Sequence, residues 1–242
     1  MIPAVPVICV DGPGGAGKGT LAQGLAERLG WHMLDSGALY RVLGFACRHR
    51  GISLTDEAQV VAVARHLDVS FMPAAGGVSV WLGADDVSLS IRTEEGGRDA
   101  SQVAILPAVR EALLSRQREL AVPPGLVADG RDMGTVVFPA APLKIFLTAS
   151  AEVRAQRRFD QLQGRGQSGS LPRLLADIEE RDRRDESRSV SPLLPAEDAA
   201  VIDSSKLSEG AVLDTALALA ADRGLLSETS ESRLDPADVL KK

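Results

Sequence analysis

Short apolar runs alternate with longer amphipathic stretches along most of the chain. Five of the runs have the length and the β-branched content of buried strands: VPVICV at 5–10, WHML at 31–34, GLVAD at 125–129, LKIFLT at 143–148 and AAVIDS at 199–204. Apolar residues at helical spacing fill the intervals, at about 19–29, 37–50, 56–67, 102–121, 150–163, 171–188 and 207–222. Strands that alternate with helices predict an α/β fold in which helices flank a parallel five-stranded sheet.

One part of the chain breaks this rhythm. DVSFM and VSVWL alternate apolar and polar residues around PAAGG, which predicts a small antiparallel hairpin within 68–98. Because antiparallel strands do not readily join a parallel sheet, we expect an insert at 63–101 in a core of 1–62 and 102–224. The segment QGRGQSGS predicts a flexible loop at the tip of a lid at 150–170, and we expect the polar tail 225–242 to be disordered.

A glycine-rich loop follows the first strand and precedes the first helix. It fits the phosphate-binding pattern G-x-x-x-x-G-K-[ST] from Gly12 to Lys18, except that Gly19 stands where Ser or Thr is expected. Thr20 is therefore the candidate for the hydroxyl near Mg²⁺. Backbone N–H groups and the helix N-terminus would surround a triphosphate, with Lys18 reaching its outer phosphates. The candidate ATP-binding residues are Gly12, Pro13, Gly14, Gly15, Ala16, Gly17, Lys18, Gly19 and Thr20.

Net charge and the length of the apolar runs argue against a nucleic-acid-binding protein and against a membrane protein. The 242 residues carry a net charge of −6, which argues against non-specific nucleic-acid binding. No apolar run has the length of a membrane span, and the N-terminus lacks the basic start of a signal peptide. Cys9 falls in a predicted strand and Cys47 in a predicted helix, as expected of buried free thiols. We expect a cytoplasmic monomer that binds neither nucleic acid nor a membrane.

Charged residues follow two of the predicted strands. In LDSGALYR, Asp35 and Ser36 could cap the next helix, or Arg41 could face an anion near the strand ends. In VADGRDMG, Asp129 closes a strand as the second acidic residue of phosphate-loop enzymes does when it orients Mg²⁺ through water. Arg131 and Asp132 come next and would lie at the mouth of the sheet, unless this is a solvated turn.

Two predicted helices carry charged residues on one face. Arg154, Arg157 and Arg158 stand at offsets of three and four in AEVRAQRR. Arg181, Asp185 and Arg188 do so in IEERDRRDESR. By itself such a pattern is typical of a solvated helix with ion pairs. Beside a phosphate loop it also fits phosphoryl transfer, in which cationic side chains neutralise the moving group.

Taken together, the motifs GPGGAGKGT, LDSGALYR, ASQVAILPAVREALLSRQR, ADGRDMGTVVFP, KIFLTASAEVRAQRR and ERDRRDESRSVSPLLPAEDAAVIDSS resemble the bacterial cytidylate kinases from about residue 5 to residue 222. Gly14 replaces the family's usual serine, and Ala140 replaces its usual acidic residue. The resemblance implies a nucleoside monophosphate kinase that transfers the γ-phosphoryl group of ATP, with Mg²⁺, to CMP or dCMP. The insert would be its enlarged monophosphate-binding segment.

The resemblance also implies residue roles. Lys18, Arg131 and the lid arginines Arg154, Arg157 and Arg158 would be catalytic, and Thr20 and Asp129 would hold Mg²⁺, the latter through water. The acceptor phosphate would contact Ser36, Arg41, Arg131 and Arg188. The cytosine edge would contact Ser101, Arg110 and Asp132, and the sugar hydroxyls would contact Arg181 and Asp185.

Other functions remain open at the level of the sequence. A phosphate-loop kinase for another acceptor, such as UMP or a metabolite alcohol, would share the same loop. Uracil, however, presents an acceptor where cytosine presents an amine, so Asp132 would be left unpaired against it. A GTPase switch would need a guanine-specifying N-K-x-D motif, which the sequence lacks. A purely structural protein would not need Lys18 in its loop.

Overall fold

A computed structural model describes residues 5–74, 77–164, 166, 168–188 and 191–226. The chain folds as two compact units. The first contains the chain up to Met33, Ala121–Ser187 and the part from Ser191 onward, and the second contains Leu34–Leu120 together with Arg188. No helix within the described ranges is both long enough and apolar enough to cross a membrane.

The first unit is built on a five-stranded sheet in the order β2-β6-β1-β7-β8. β1 pairs in parallel with β6 and with β7, and β7 pairs in parallel with β8. The fold class predicted from the sequence is therefore confirmed. Its elements are β1 (Val7–Asp11), α1 (Lys18–Leu29), β2 (His32–Asp35), β6 (Leu126–Gly130), β7 (Leu143–Thr148), α6 (Ala151–Gly164), α7 (Leu171–Glu186), β8 (Ala200–Asp203) and α8 (Glu209–Asp222).

The core of this unit forms where α1 and α8 cover the sheet. Every residue of β1 is buried, as expected of a central strand covered on both faces. Leu25 of α1 and Ala216 of α8 are completely buried in the same cluster as the strand residues. Trp31 packs against its edge, and a Cβ at Gly125 would lie 2.3 Å from the indole ring, so only glycine fits there.

The second unit has its own core. Its elements are α2 (Ser36–His49), α3 (Glu57–Arg65), β3 (Val69–Ala74), β4 (Gly77–Leu82), β5 (Asp85–Asp86), α4 (Glu94–Val103) and α5 (Pro107–Glu119). β3 and β4 pair antiparallel, so the predicted hairpin is confirmed, and β5 adds a third strand. Buried residues of α2, α3, α4 and α5 form one apolar cluster with residues of the hairpin.

Two helix predictions need correction. The pattern at 102–121 predicts one helix, but α4 and α5 occupy this region with a break at 104–106. The break precedes Pro107, which disfavours helical angles at the residue before it. α4 was missed because two glycines lower its helix propensity, although Thr93 caps it by accepting the Gly96 N–H. α7 ends at Glu186, so Arg188 lies beyond the helix rather than on its face.

Some boundaries predicted from the sequence stay predictions. The insert at 63–101 lies inside the second unit, which is larger and begins at Leu34. The lid at 150–170 contains α6, but residues 165 and 167 lie outside the described part of the chain. The same holds for 227–242, which is most of the predicted tail. Cys9 and Cys47 are buried free cysteines, as expected.

Candidate active site

The glycine-rich loop needs its glycines for space and for backbone angles. At Gly12 the φ angle is 146°, and a Cβ would lie 1.9 Å from the Leu147 carbonyl oxygen, so the loop passes directly against β7. Gly17 caps α1 in the left-handed conformation and offers no side-chain hydrogen bond. The first N–H groups of α1 therefore receive no cap from this residue, which is the arrangement that binds phosphate at a helix N-terminus.

Lys18 is buried beneath this loop. Its Nζ donates to the Pro13 carbonyl oxygen at 3.0 Å and lies 3.9 Å from a carboxylate oxygen of Asp129. Burial lowers the pKa of Lys18 to about 7, and the nearby guanidiniums of Arg131 and Arg181 act in the same direction. Burial and the two guanidiniums disfavour the protonated form of Lys18. A bound polyanion would stabilise the positive charges of Lys18, Arg131 and Arg181 together, so this group is well placed to bind one.

Two arginines flank the loop at Gly14. A Cβ at Gly14 would lie 3.5 Å from a terminal nitrogen of Arg131 and 3.5 Å from one of Arg181, so both guanidiniums reach this residue. Arg131 Nε donates to Asp185 at 3.1 Å, and Arg131 also donates to the Gly130 carbonyl oxygen. The Asp185 side chain is only 2% exposed. Asp185 is therefore a buried group that orients Arg131, and the solvated-helix interpretation is wrong for it.

Two of the three α6 arginines also contact the loop. Arg154 donates to the Gly14 carbonyl oxygen at 3.2 Å. It also forms a bidentate salt bridge with Asp182, with N···O distances of 3.1 and 2.5 Å. Arg157 donates to the Ala16 carbonyl oxygen at 3.3 Å. Arg158 donates to Gln161 one turn along its own helix. The first two contact the loop itself, and contact of any of the three with a transferring phosphoryl group stays a prediction.

The segment after β6 is held by a residue that sequence reasoning missed. Asp11, at the end of β1, accepts the backbone N–H groups of Met133 and Gly134, each at 2.8 Å. These residues begin the π-helical turn Met133–Val137, which follows Asp132. Burial raises the pKa of Asp11 to about 6, against the lowering effect of the two hydrogen bonds. Asp132 itself is 5% exposed, so this is not a solvated turn.

Five predicted substrate residues belong to the second unit, and Arg188 is the one of them that lies outside Leu34–Leu120. Ser36 is buried and donates to Gln117 of α5 at 2.8 Å, and Arg41 donates to the Ile91 carbonyl oxygen at 3.4 Å. Arg110 is 9% exposed, with its guanidinium 5.8 Å from the centre of the Tyr40 ring. Ser101 donates back to the Gly97 carbonyl oxygen within α4. The helix-cap interpretation is right for Asp35, which accepts the Ala38 N–H at 2.9 Å.

The oxygen groups predicted to hold Mg²⁺ lie at the same end of the loop. Thr20 is exposed in the first turn of α1, and Asp129 is a half-buried residue near the end of β6. A Cβ at Gly19 would lie 3.7 Å from an Asp129 carboxylate oxygen, an ordinary contact distance. A hydroxyl and a carboxylate are the hard oxygen ligands that Mg²⁺ takes together with water and substrate phosphates. The residues present fit the ion.

Comparison with known proteins supplies the family. A family model described as "Cytidylate kinase" matches residues 8–222. The chain belongs to the cytidylate kinase family. It is 56% identical over 223 residues to the cytidylate kinase of Enterobacter sp. (strain 638), a match that covers 92% of this chain and 98% of that protein. It is 57% identical over 227 residues to that of Stutzerimonas stutzeri (strain A1501), covering 93% and 99%.

Membership of the family confirms the resemblance read from the sequence. A third relative, the cytidylate kinase of Aeromonas hydrophila, is 59% identical over 215 residues, which cover 89% of this chain and 94% of that protein. The chain is thus a kinase of the family and an enzyme that binds nucleotides.

Four residues that contact the site residues were missed by sequence reasoning. Two of them carried a usable signal in the sequence, and the other two carried none. Asp11 and Ser204 directly end or follow strands, where the carboxyl ends of parallel strands meet and ligands bind. Asp182 and Gln117 lie inside charged or polar helices, and no spacing in the sequence distinguishes them from solvated neighbours.

Proposed function

We propose that this protein is a CMP and dCMP kinase, which transfers the γ-phosphoryl group of ATP to the acceptor and yields ADP with CDP or dCDP. The observation that supports it most directly is the group of three cations at the loop of a chain in the cytidylate kinase family: Lys18 at Pro13, with Arg131 and Arg181 at Gly14. Such a concentration of positive charge suits a reaction in which several phosphate groups must be held close together.

On the donor side, the loop from Gly12 to Thr20 is proposed to bind ATP. Backbone N–H groups and Lys18 would neutralise charge on the phosphates, and no covalent intermediate on the protein is required. Thr20 would hold Mg²⁺ directly and Asp129 would hold it through water. When bound, the ion would supply positive charge that offsets the negative charge of the phosphates.

Phosphoryl transfer then depends on how the chain's own side chains are fixed. Arg131 is oriented by Asp185 and by the Gly130 carbonyl oxygen, so its guanidinium requires little rearrangement when charge develops on the moving group. Arg154, Arg157 and Arg158 are proposed to add positive charge from α6. The acceptor phosphate oxygen would attack in line, and the protein would contribute position and charge.

On the acceptor side, roles follow from donor and acceptor chemistry. Ser36, Arg41, Arg131 and Arg188 are proposed to bind the acceptor phosphate, and Arg181 and Asp185 the sugar hydroxyls. Ser101, Arg110 and Asp132 are proposed to bind the cytosine edge. Asp132 suits this role because its carboxylate is buried and can accept a hydrogen bond from the exocyclic amine of cytosine. Uracil lacks that donor, and nothing in the structure favours UMP.

Acceptor preference tests the proposal. ATP consumption should be measured in parallel with CMP, dCMP, UMP, AMP and GMP at equal concentrations. We expect CMP and dCMP to be used at least about a hundredfold better, in kcat/KM, than the others, because a site built on buried hydrogen bonds rejects an analogue that leaves them unpaired. Preference for any other acceptor would contradict the proposal.

Asp132→Asn gives the sharper comparison. The amide can donate as well as accept, so the ratio of CMP to UMP activity should fall by about tenfold or more. Asp214→Asn, the same substitution at an exposed position on α8, should leave the ratio unchanged. An unchanged ratio in Asp132→Asn would remove this residue from base recognition.

The setting of the enzyme is also a proposal. The two buried free thiols fit a reducing compartment, and we propose that the protein acts in the cytoplasm as a monomer. Its partners would then be the small-molecule substrates alone. Sedimentation of the purified chain with and without ADP would reveal any larger assembly.

A further inference from the structure

Three carbonyl groups of the phosphate loop accept hydrogen bonds from side chains of the first unit. The Pro13 oxygen accepts from Lys18, and the Gly14 oxygen accepts from Arg154. The Ala16 oxygen accepts twice, from Arg157 at 3.3 Å and from the Ser204 hydroxyl at 3.1 Å. A carbonyl oxygen carries partial negative charge and would repel an anion if it turned toward it. A donor that holds each oxygen in place therefore favours anion binding by the loop.

Ser204 is held in place both by its burial and by a backbone hydrogen bond. Its side chain is 2% exposed, and its backbone N–H donates to the Thr148 carbonyl oxygen at 2.8 Å, directly after the paired part of β8. The backbone of Ser204 therefore cannot move far without breaking the end of the strand pair β7–β8. A hydroxyl of this kind can donate once and accept at the same time.

Arg157 completes the arrangement. It donates to the Ser204 hydroxyl at 3.1 Å and to the Ser204 carbonyl oxygen at 2.7 Å. Its donation leaves the hydroxyl proton of Ser204 directed at Ala16. The cation also polarises that hydroxyl, and a hydrogen bond supported in this way is stronger than an isolated neutral one.

We propose that Ser204 is a positioning residue for nucleotide binding: its hydroxyl, supported by Arg157, fixes the Ala16 carbonyl and with it the N–H groups of the phosphate loop. Ser204 need not contact the nucleotide to do so. The proposal rests on the proposed function only in naming ATP and ADP as the ligands of the loop.

The test compares Ser204→Ala with Ser208→Ala in the full chain. Ser208 caps α8 by accepting the Ala211 N–H at 3.2 Å, so its loss weakens a helix of the same unit without touching the loop. Calorimetric titration with ADP should give about tenfold weaker binding for Ser204→Ala and unchanged binding for Ser208→Ala. In turnover, Ser204→Ala should raise the KM for ATP by a similar factor and leave the KM for CMP within about twofold.

Two further variants guard against a merely structural effect. Ser204→Thr keeps the hydroxyl and should bind ADP nearly as tightly as the wild type. Arg157→Lys keeps the positive charge but cannot donate to both the hydroxyl and the carbonyl oxygen of Ser204 as the guanidinium does. It should therefore weaken ADP binding as Ser204→Ala does. If Ser204→Ala does not fold, Ser204→Cys, which replaces the hydroxyl by a much weaker donor, decides the proposal by the same measurement.

Several results would overturn the proposal. ADP affinity in Ser204→Ala equal to that of the wild type would do so, as would equal losses in Ser204→Ala and Ser208→Ala. An equal rise of the KM for CMP would mean a general loss of structure and would also contradict it. If the wild type failed to phosphorylate CMP, the proposed function would fall, but the ADP titrations would still decide the role of Ser204.

Discussion

At the residue scale, Lys18 shows a conflict between function and stability. Folding places its amine in a buried position beside Arg131 and Arg181, and this lowers its pKa from 10.5 to about 7. Between these two pH values the unfolded chain binds the proton more tightly than the folded protein does. At neutral pH the group therefore favours unfolding, and its contribution to stability improves as the pH rises toward 10.

Replacing Lys18 by methionine should expose this conflict. We expect activity to fall by at least about a hundredfold, because a fixed cation beside the β and γ phosphates is lost. The free energy of unfolding without nucleotide should rise by about 1 to 2 kcal/mol, since an apolar chain of similar length replaces a buried cation. Urea unfolding at pH 7 measures the second effect. A variant that is inactive and also less stable would show that the hydrogen bond to Pro13 stabilises the folded protein by more than the buried charge destabilises it.

The contribution of Asp11 to stability changes with pH in the direction opposite to that of Lys18. Burial raises its pKa from 3.8 to about 6, so between these values the folded protein binds a proton that the unfolded chain has already lost. Its contribution to stability is therefore most favourable below about pH 4 and declines as the pH rises through 6, by on the order of 3 kcal/mol in total.

The variant Asp11→Asn isolates that contribution. The amide also leaves one of the two N–H groups of Met133 and Gly134 facing a donor, but this loss does not depend on pH. Relative to the wild type, Asp11→Asn should thus gain stability as the pH rises from 4.5 to 7.5. Urea unfolding of both proteins across this range measures the difference. Parallel curves would mean that Asp11 titrates at its ordinary pKa.

At the scale of elements, α7 carries two kinds of carboxylate. Asp185 is buried against Arg131, whereas Asp177 on the same helix is exposed. Asp185→Asn should lower kcat/KM for CMP and dCMP alike by about tenfold or more, because it weakens both a proposed contact with the sugar and the orientation of Arg131. Asp177→Asn is the matched control and should retain wild-type kinetics. Near-wild-type kinetics in Asp185→Asn would place this helix outside the active site.

The same helix shows what could be predicted from the sequence. The five strands, the hairpin and the phosphate loop follow from local patterns, because strand length, alternation and glycine spacing are properties of short segments. Which α7 carboxylate is buried depends on Arg131, which lies more than fifty residues away in the chain, and no local pattern contains that pairing. α4 was missed for a related reason: its stability comes from packing on α2, at Gly44 against Asp99, rather than from its own propensity.

At the scale of the whole molecule, the division into two units could not be read from the sequence. The change from Met33 to Leu34 falls inside a single strand, β2, and no linker marks it. The hydrophobic pattern predicts which residues are buried, but it does not state which of two cores each residue joins. Only the packing of α2, α3, α4 and α5 with one another assigns them to the second core.

The two separate cores give the protein a pair of intrinsic fluorophores that report on different regions. The chain has two tryptophans, Trp31 at the edge of the first core and Trp81 on β4 of the second unit. In Trp81→Phe, the fluorescence during urea unfolding comes from Trp31 and reports on the first unit. In Trp31→Phe, it comes from Trp81 and reports on the second unit. We expect two distinct midpoints, and we expect ADP to raise the midpoint seen by Trp31 more than the one seen by Trp81, since its proposed loop belongs to the first unit. Coincident midpoints that move together would instead describe a single cooperative transition.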